Sequence, residues 1–101
     1  DNLSFRSYLT YLPPASQQDE IRLQKGETFI FVKEGDVEIH LPNKKPLVLG
    51  AGDTAHLASY KGTLLKNASF EQPAKLLMLA SATTLITDKQ GDPFHIFEIA
   101  E

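Results

Sequence analysis

The sequence contains no cysteine among its 101 residues. Disulfides, thiolate nucleophiles and cysteine-based zinc sites are therefore excluded together, and the chain is compatible with a reducing compartment. Long hydrophobic runs are also missing, because the longest span four to five residues whereas a membrane-spanning helix needs about 20. No secretory signal pattern is visible. We therefore expect no membrane partner and a cytoplasmic location.

Charges of both signs are mixed along the chain. Ten Lys and Arg residues against 13 Asp and Glu residues give a net charge of −3. Without a basic run or patch, there is no electrostatic case for nucleic-acid binding by this chain itself. Hydrophobic residues make up 42% of the chain, which is too many for a disordered tail. The length predicts one domain, spanning residues 1–101.

A helical period of any length is missing as well. Turn residues instead recur about every 8–12 residues, which is typical of an all-β sandwich or barrel. Gly35 permits the positive φ of a hairpin between two such runs, and Val37, Ile39 and Leu41 alternate with polar residues. The predicted strands cover residues 3–12, 21–24, 28–32, 37–41, 47–49, 54–57, 63–67, 74–79, 83–87 and 94–100.

Four features of the sequence stand out, namely TFIFVKEG at 28–35, LGAGD at 49–53, Asn67 and the Pro-Ala pair at 73–74. In their order and spacing they resemble a cupin domain. The resemblance covers about residues 20–80, most of the chain. It implies an antiparallel all-β double-stranded β-helix, also called a cupin or jelly-roll barrel, with a pocket inside it.

The resemblance also locates the places where cupins hold a metal, usually with histidines and one acidic residue. In this register the four places hold Arg22, Gln24, Thr28 and Thr63. A shift of one residue brings Glu27 into the acidic place but supplies no histidine. Transition metals need imidazoles and carboxylates, and Arg22 would add a positive charge beside the cation. We therefore expect no metal and no other cofactor.

The same four residues are predicted to point inward and to form a ligand-binding site. Arg22 would clamp a carboxylate or phosphate through two parallel hydrogen bonds, and Gln24 and the two threonines would add neutral ones. The alternative is that paired polar side chains fill the mouth of the barrel and bind nothing. A buried arginine needs an anion, which a ligand, Glu20 or Glu27 would supply.

The histidines give no clear indication of catalysis. His40 and His56 fall on the polar phase of their strands and are predicted to lie at the surface or at an interface, and His95 completes the set. No nucleophile–base–acid pattern is visible, so no catalytic residue is assigned.

The aromatic residues are concentrated in a few strands. We predict that they form core or a sheet-to-sheet dimer contact rather than a cofactor site. The first and last strands are the candidates for that contact. The aromatic residues concerned are Tyr8, Tyr11, Phe29, Phe31, Phe94 and Phe97.

The strand–turn spacing most resembles the C-terminal cupin of bacterial regulators that carry an N-terminal helix-turn-helix domain. The first residue, Asp1, is not methionine, and we expect the chain to be part of a longer protein whose DNA-binding domain is absent here. The resemblance implies a homodimer that binds a small-molecule effector, such as an amino acid or another carboxylate, in a metal-free pocket. DNA would be contacted only through the absent domain.

Two alternatives stay open. One is a metal-independent cupin enzyme, such as a sugar epimerase or isomerase, which would need His56 or His40 as a base with Tyr60 as its partner. The other is a structural barrel without a ligand. An inward histidine favours the enzyme, a polar pocket without histidine favours the sensor, and an interior packed with Leu and Phe favours the structural barrel.

Overall fold

The computed structural model describes residues 4–94 and, for the backbone, 97–99. A short 3-10 helix, Ala15–Gln17, follows the first strand. Within the described residues there are ten strands, which are β1 Phe5–Leu12, β2 Glu20–Gln24, β3 Glu27–Glu34, β4 Val37–His40, β5 Leu47–Leu49, β6 Thr54–Ala58, β7 Thr63–Asn67, β8 Ala74–Ser81, β9 Leu85–Thr87 and β10 Phe97–Ile99.

The strands form two five-stranded antiparallel sheets. The first sheet has the order β10-β1-β8-β3-β6 and the second has the order β5-β4-β7-β2-β9. Consecutive strands alternate between the sheets in several places, as β2 and β3 do, so the two sheets enclose one interior. The all-β, antiparallel double-stranded β-helix expected from the sequence is confirmed.

Strand alternation sorts the side chains between the interior and the two outer faces. In β3, Ile30 and Val32 are buried while Phe29 and Phe31 are exposed. The hairpin predicted at Gly35 is wrong, because β3 pairs with β6 and β8 in the first sheet whereas β4 pairs with β5 and β7 in the second. Gly35 instead lies in the turn that carries the chain from one sheet to the other, with a φ of +86° that an L side chain rarely adopts. Predicted and observed strands agree closely, although β9 begins at Leu85 rather than at residue 83.

Apolar side chains fill the space between the sheets. Ile21, Leu23, Leu65 and Met78 have no solvent exposure, and Phe94 from the loop before β10 packs against the same cluster. Among the described residues, buried apolar side chains from both sheets occupy the region where the resemblance implied a pocket.

Two further expectations concern the last predicted strand and membrane insertion. His95, and the side chains of residues 95–100 in the last predicted strand, lie outside the described residues. Over the part of the chain that the structure describes, no helix has the length and apolar character needed to cross a bilayer.

Candidate functional site

The four residues predicted to point inward are split between the interior and the surface. Thr28 and Thr63 are buried. Arg22 and Gln24 lie on the outer face of β2, because Ile21 and Leu23 take the inward positions of that strand. The prediction that all four point inward is therefore wrong for Arg22 and Gln24, while ligand binding by these residues stays a prediction.

The error arises at the turn between β2 and β3. Lys25 has a φ of 65°, and the chain passes there from the second sheet to the first. Inward and outward positions alternate only within one continuous strand. Counting residues from Thr28 back to Gln24 crosses this turn, so the count cannot tell which side chains of β2 point inward.

The residues at the four metal places do not fit a metal. Their side chains are a guanidinium, an amide and two hydroxyls, and two of them face outward. Within residues 4–94, no group of three or more His, Asp or Glu side chains is placed so that it could hold an ion. We therefore assign no metal-dependent chemistry to these four residues.

Three of the four predicted residues nevertheless line one surface cleft. The cleft has a volume of about 360 Å3 and lies where β2 and β4 end and β7 begins. We call it the basic cleft and define it by five polar lining residues. These residues are Arg22, Gln24, His40, Lys61 and Thr63.

Arg22 is held in place beside this cleft by an acidic neighbour. Its Nε donates to Oε2 of Glu20 over 2.8 Å, and the Glu20 side chain is 9% exposed. Nζ of Lys66 lies 3.9 Å from the other carboxylate oxygen of Glu20. Glu20 is thus the anion that the sequence suggested for Arg22, although the pair lies on the outer face rather than inside.

Both described histidines pair with a glutamate on an outer face. Nε2 of His40 lies 2.9 Å from Oε1 of Glu38, and Nε2 of His56 lies 2.9 Å from Oε1 of Glu27. The surface positions predicted for both histidines are confirmed. The acidic partners were missed, although the spacing Glu38-x-His40 places both side chains on one face of a strand.

The outer face of the first sheet is strongly apolar. We call this surface the apolar face; the structure leaves its large side chains between 38% and 42% exposed. The rings of Phe5 and Phe29 lie 6.5 Å apart, and the ring of His56 stacks on Phe29. The apolar face consists of Phe5, Phe29, Phe31, Leu77 and Leu79.

Comparisons with known proteins agree with this architecture. No protein-family model and no curated protein matches the chain. A solved structure of the DMSP lyase DddQ from Ruegeria pomeroyi is similar, with 21% identity and a TM-score of 0.64 over 78% of this chain and 39% of that one. An uncharacterised double-stranded β-helix protein from Klebsiella pneumoniae has 21% identity and a TM-score of 0.62 over 100% and 77% of the two chains.

These two likenesses define the class of fold. The chain has a cupin-type double-stranded β-helix fold, and it spans about two fifths of the length of DddQ. One similar protein is an enzyme and the other is uncharacterised. At this identity the likeness concerns the fold alone, since one fold carries many unrelated activities.

Proposed function

We propose that this domain is the dimerising, effector-sensing module of a bacterial transcriptional regulator acting in the cytoplasm. The observation that carries the proposal is the apolar face, whose five large side chains are all partly exposed. Contiguous apolar surface of this kind is typical of an interaction site. The regulatory part is supported by the resemblance to cupin domains of helix-turn-helix regulators.

The occupant we propose for the apolar face is a second copy of the same face. Glu27 lies at one end of the face beside His56, and Lys33 and Lys75 lie at the other end together with Glu34. We place the two-fold axis in the plane of contact between the two copies and perpendicular to the strands. In this arrangement the acidic end of each apolar face lies against the basic end of the other apolar face.

Sedimentation velocity of the purified domain tests this proposal. We expect a dimer at micromolar concentration that the Phe31→Lys variant converts to a monomer, because a lysine there would be buried against apolar side chains. Val48→Lys is the matched control, since Val48 is a 59% exposed strand residue on the second sheet. A monomeric wild-type domain, or equal effects of the two substitutions, would contradict the proposal.

A second candidate is a barrel that assembles without binding a small molecule, and the packed interior favours it. The ligand titration described below separates the two. The epimerase-like alternative lacks comparable support, because His40 and His56 both lie on outer faces and neither reaches the interior.

A further inference from the structure

The basic cleft combines cationic side chains with an apolar floor. Arg22 and Lys61 supply cationic side chains, and His40, whose Nε2 pairs with Glu38, adds an imidazole. Among the described residues that line the cleft there is no Asp or Glu, because Glu20 and Glu38 lie outside its lining. An anion that enters the cleft therefore meets positive charge without meeting an acidic side chain directly.

Hydrogen-bond donors are available for such an anion. Arg22 has five N–H groups, and the bond to Glu20 uses the one at Nε. The terminal amino groups of a guanidinium can bind both oxygens of a carboxylate. Gln24 and Thr63 contribute neutral polar groups to the same lining.

The remaining lining is apolar. Besides Gly62 and the fully buried Leu23, it is formed by Leu41, Pro42 and Leu64, and a small hydrated anion would leave the exposed parts of these three side chains without a partner. A ligand with an apolar body covers them and removes their surface from water. The volume of about 360 Å3 lies at the small end of the range for ligand sites.

We infer that the basic cleft binds a small monocarboxylate with an aliphatic body, with the carboxylate at Arg22 and Lys61 and the aliphatic part on the leucine and proline floor. The inference rests on the proposed function, because it names the site and the ligand class for the sensing role. The inferred ligand site lies on the outer surface of the second sheet, whereas the resemblance implied a site in the interior of the barrel.

The test is a titration of the isotope-labelled domain, followed by backbone amide chemical shifts. The probes are acetate, hexanoate, hexylamine and inorganic phosphate. We expect hexanoate to saturate with shifts confined to the ends of β2 and β4 and the start of β7. Acetate should bind at least roughly tenfold more weakly, because it lacks the four methylene groups that would contact the floor. Hexylamine and phosphate should not compete.

Variants of the cationic residues give the second part of the test. Arg22→Gln and Lys61→Gln should each weaken hexanoate binding by roughly tenfold, as expected for loss of a charged hydrogen bond. Lys66→Gln is the matched control, because Lys66 also neighbours Glu20 but lies outside the cleft lining. Lys61 is exposed, so Lys61→Gln keeps the test decisive if the Arg22 variant fails to fold.

Several outcomes would overturn the inference. They are no saturation by hexanoate at millimolar concentration, equal binding of hexylamine, tighter binding of phosphate, or equal losses in the Lys61 and Lys66 variants. The Phe31→Lys variant distinguishes this failure from that of the dimer proposal. The cleft and the apolar face lie on different sheets, so a monomeric Phe31→Lys domain should bind hexanoate with unchanged affinity.

Discussion

The side-chain amide of Asn67 donates a 2.7 Å hydrogen bond to the carbonyl oxygen of Gln72. The same Nδ2 atom lies 3.1 Å from the carbonyl oxygens of Leu12 and Pro13, and Oδ1 accepts from the N–H of Ser69. Asn67 is 4% exposed. One buried amide thereby joins the end of β7 to the end of β1 and closes the loop before β8.

Asn67→Ala should lower the free energy of unfolding by about 2–4 kcal/mol, because buried main-chain groups lose their partners. Urea denaturation followed by circular dichroism measures the change. Asn67→Asp has the same shape but turns a second acceptor toward three carbonyl oxygens, so it should destabilise at least as much. A loss below about 0.5 kcal/mol in both variants would show that this network contributes little.

Gly35 and Gly52 make a matched pair for testing the turn between β3 and β4. Both have positive φ, +86° and +92°. A Cβ atom on Gly35 would lie 2.9 Å from the carbonyl oxygen of Pro73 and 3.0 Å from Ala74, whereas one on Gly52 would meet nothing within 4 Å. The two positions therefore share the backbone cost of a side chain and differ in the steric cost.

We expect Gly52→Ala to cost about 1–2 kcal/mol, the penalty of a left-handed backbone. Gly35→Ala should cost about 1–3 kcal/mol more because of the added overlap. Thermal and urea unfolding of both variants measure the difference. Equal destabilisation would mean that the β8 end moves away from Gly35 at no cost.

Most of the fold could be predicted from the sequence, because its strands follow strong local rules. Alternation at Val37 and Ile39 indicated β4, and Gly35 marked the turn before it, although this turn joins the two sheets and is not a hairpin. The closely spaced turns favoured a barrel over a helical fold. The packing of the interior could not be predicted from these local patterns. Whether aliphatic side chains from two sheets meet or leave a pocket depends on long-range packing.

The candidate site was predicted only in part, for a reason that Arg22 and Thr28 illustrate. Each lies in a correctly predicted strand, but the turn at Lys25 breaks the alternation between them, so their relative phase could not be counted. Lys61 and His40 were missed for another reason. They reach the basic cleft from a loop and a strand about 20 residues apart in sequence, and no local pattern joins such positions.

A substitution at Thr28 is predicted to stabilise the domain, in contrast to those at Asn67, Gly35 and Gly52. Its Oγ1 atom is buried and has no hydrogen-bond partner among the described residues, and the same holds for Thr10. Thr28→Val keeps the shape and removes the unpaired hydroxyl, so it should raise the free energy of unfolding by about 0.5–1.5 kcal/mol. Urea denaturation measures the gain.

Thr10→Val is the parallel variant, since the same reasoning gives it the same sign. A loss of stability in the Thr28 variant alone would indicate that its hydroxyl binds a buried water or a ligand. A loss in both variants would mean that both hydroxyls are satisfied in solution.

The two-fold arrangement proposed for the apolar face places Glu27 of one copy near Lys75 of the other. Lys75 lies 3.6 Å from Glu34 and 5.5 Å above the ring of Tyr11 in its own copy, and Glu27 pairs with His56. These pairs are partly exposed, so losing them should change the stability of the monomer by less than about 1 kcal/mol. Charge reversal at Glu27 or Lys75 should therefore act mainly on association.

Glu27→Lys and Lys75→Glu should each weaken dimerisation by roughly tenfold at low salt, because each puts like charges together twice in a symmetric dimer. The double variant should return the dissociation constant to within about threefold of wild type, the coupling expected of residues in contact. Sedimentation equilibrium at two salt concentrations measures all four proteins. If the axis instead ran parallel to the strands, Glu27 would face Glu27 in the wild-type dimer. Single reversals would then leave affinity unchanged, so this set of variants decides the orientation of the axis as well as the existence of the contact.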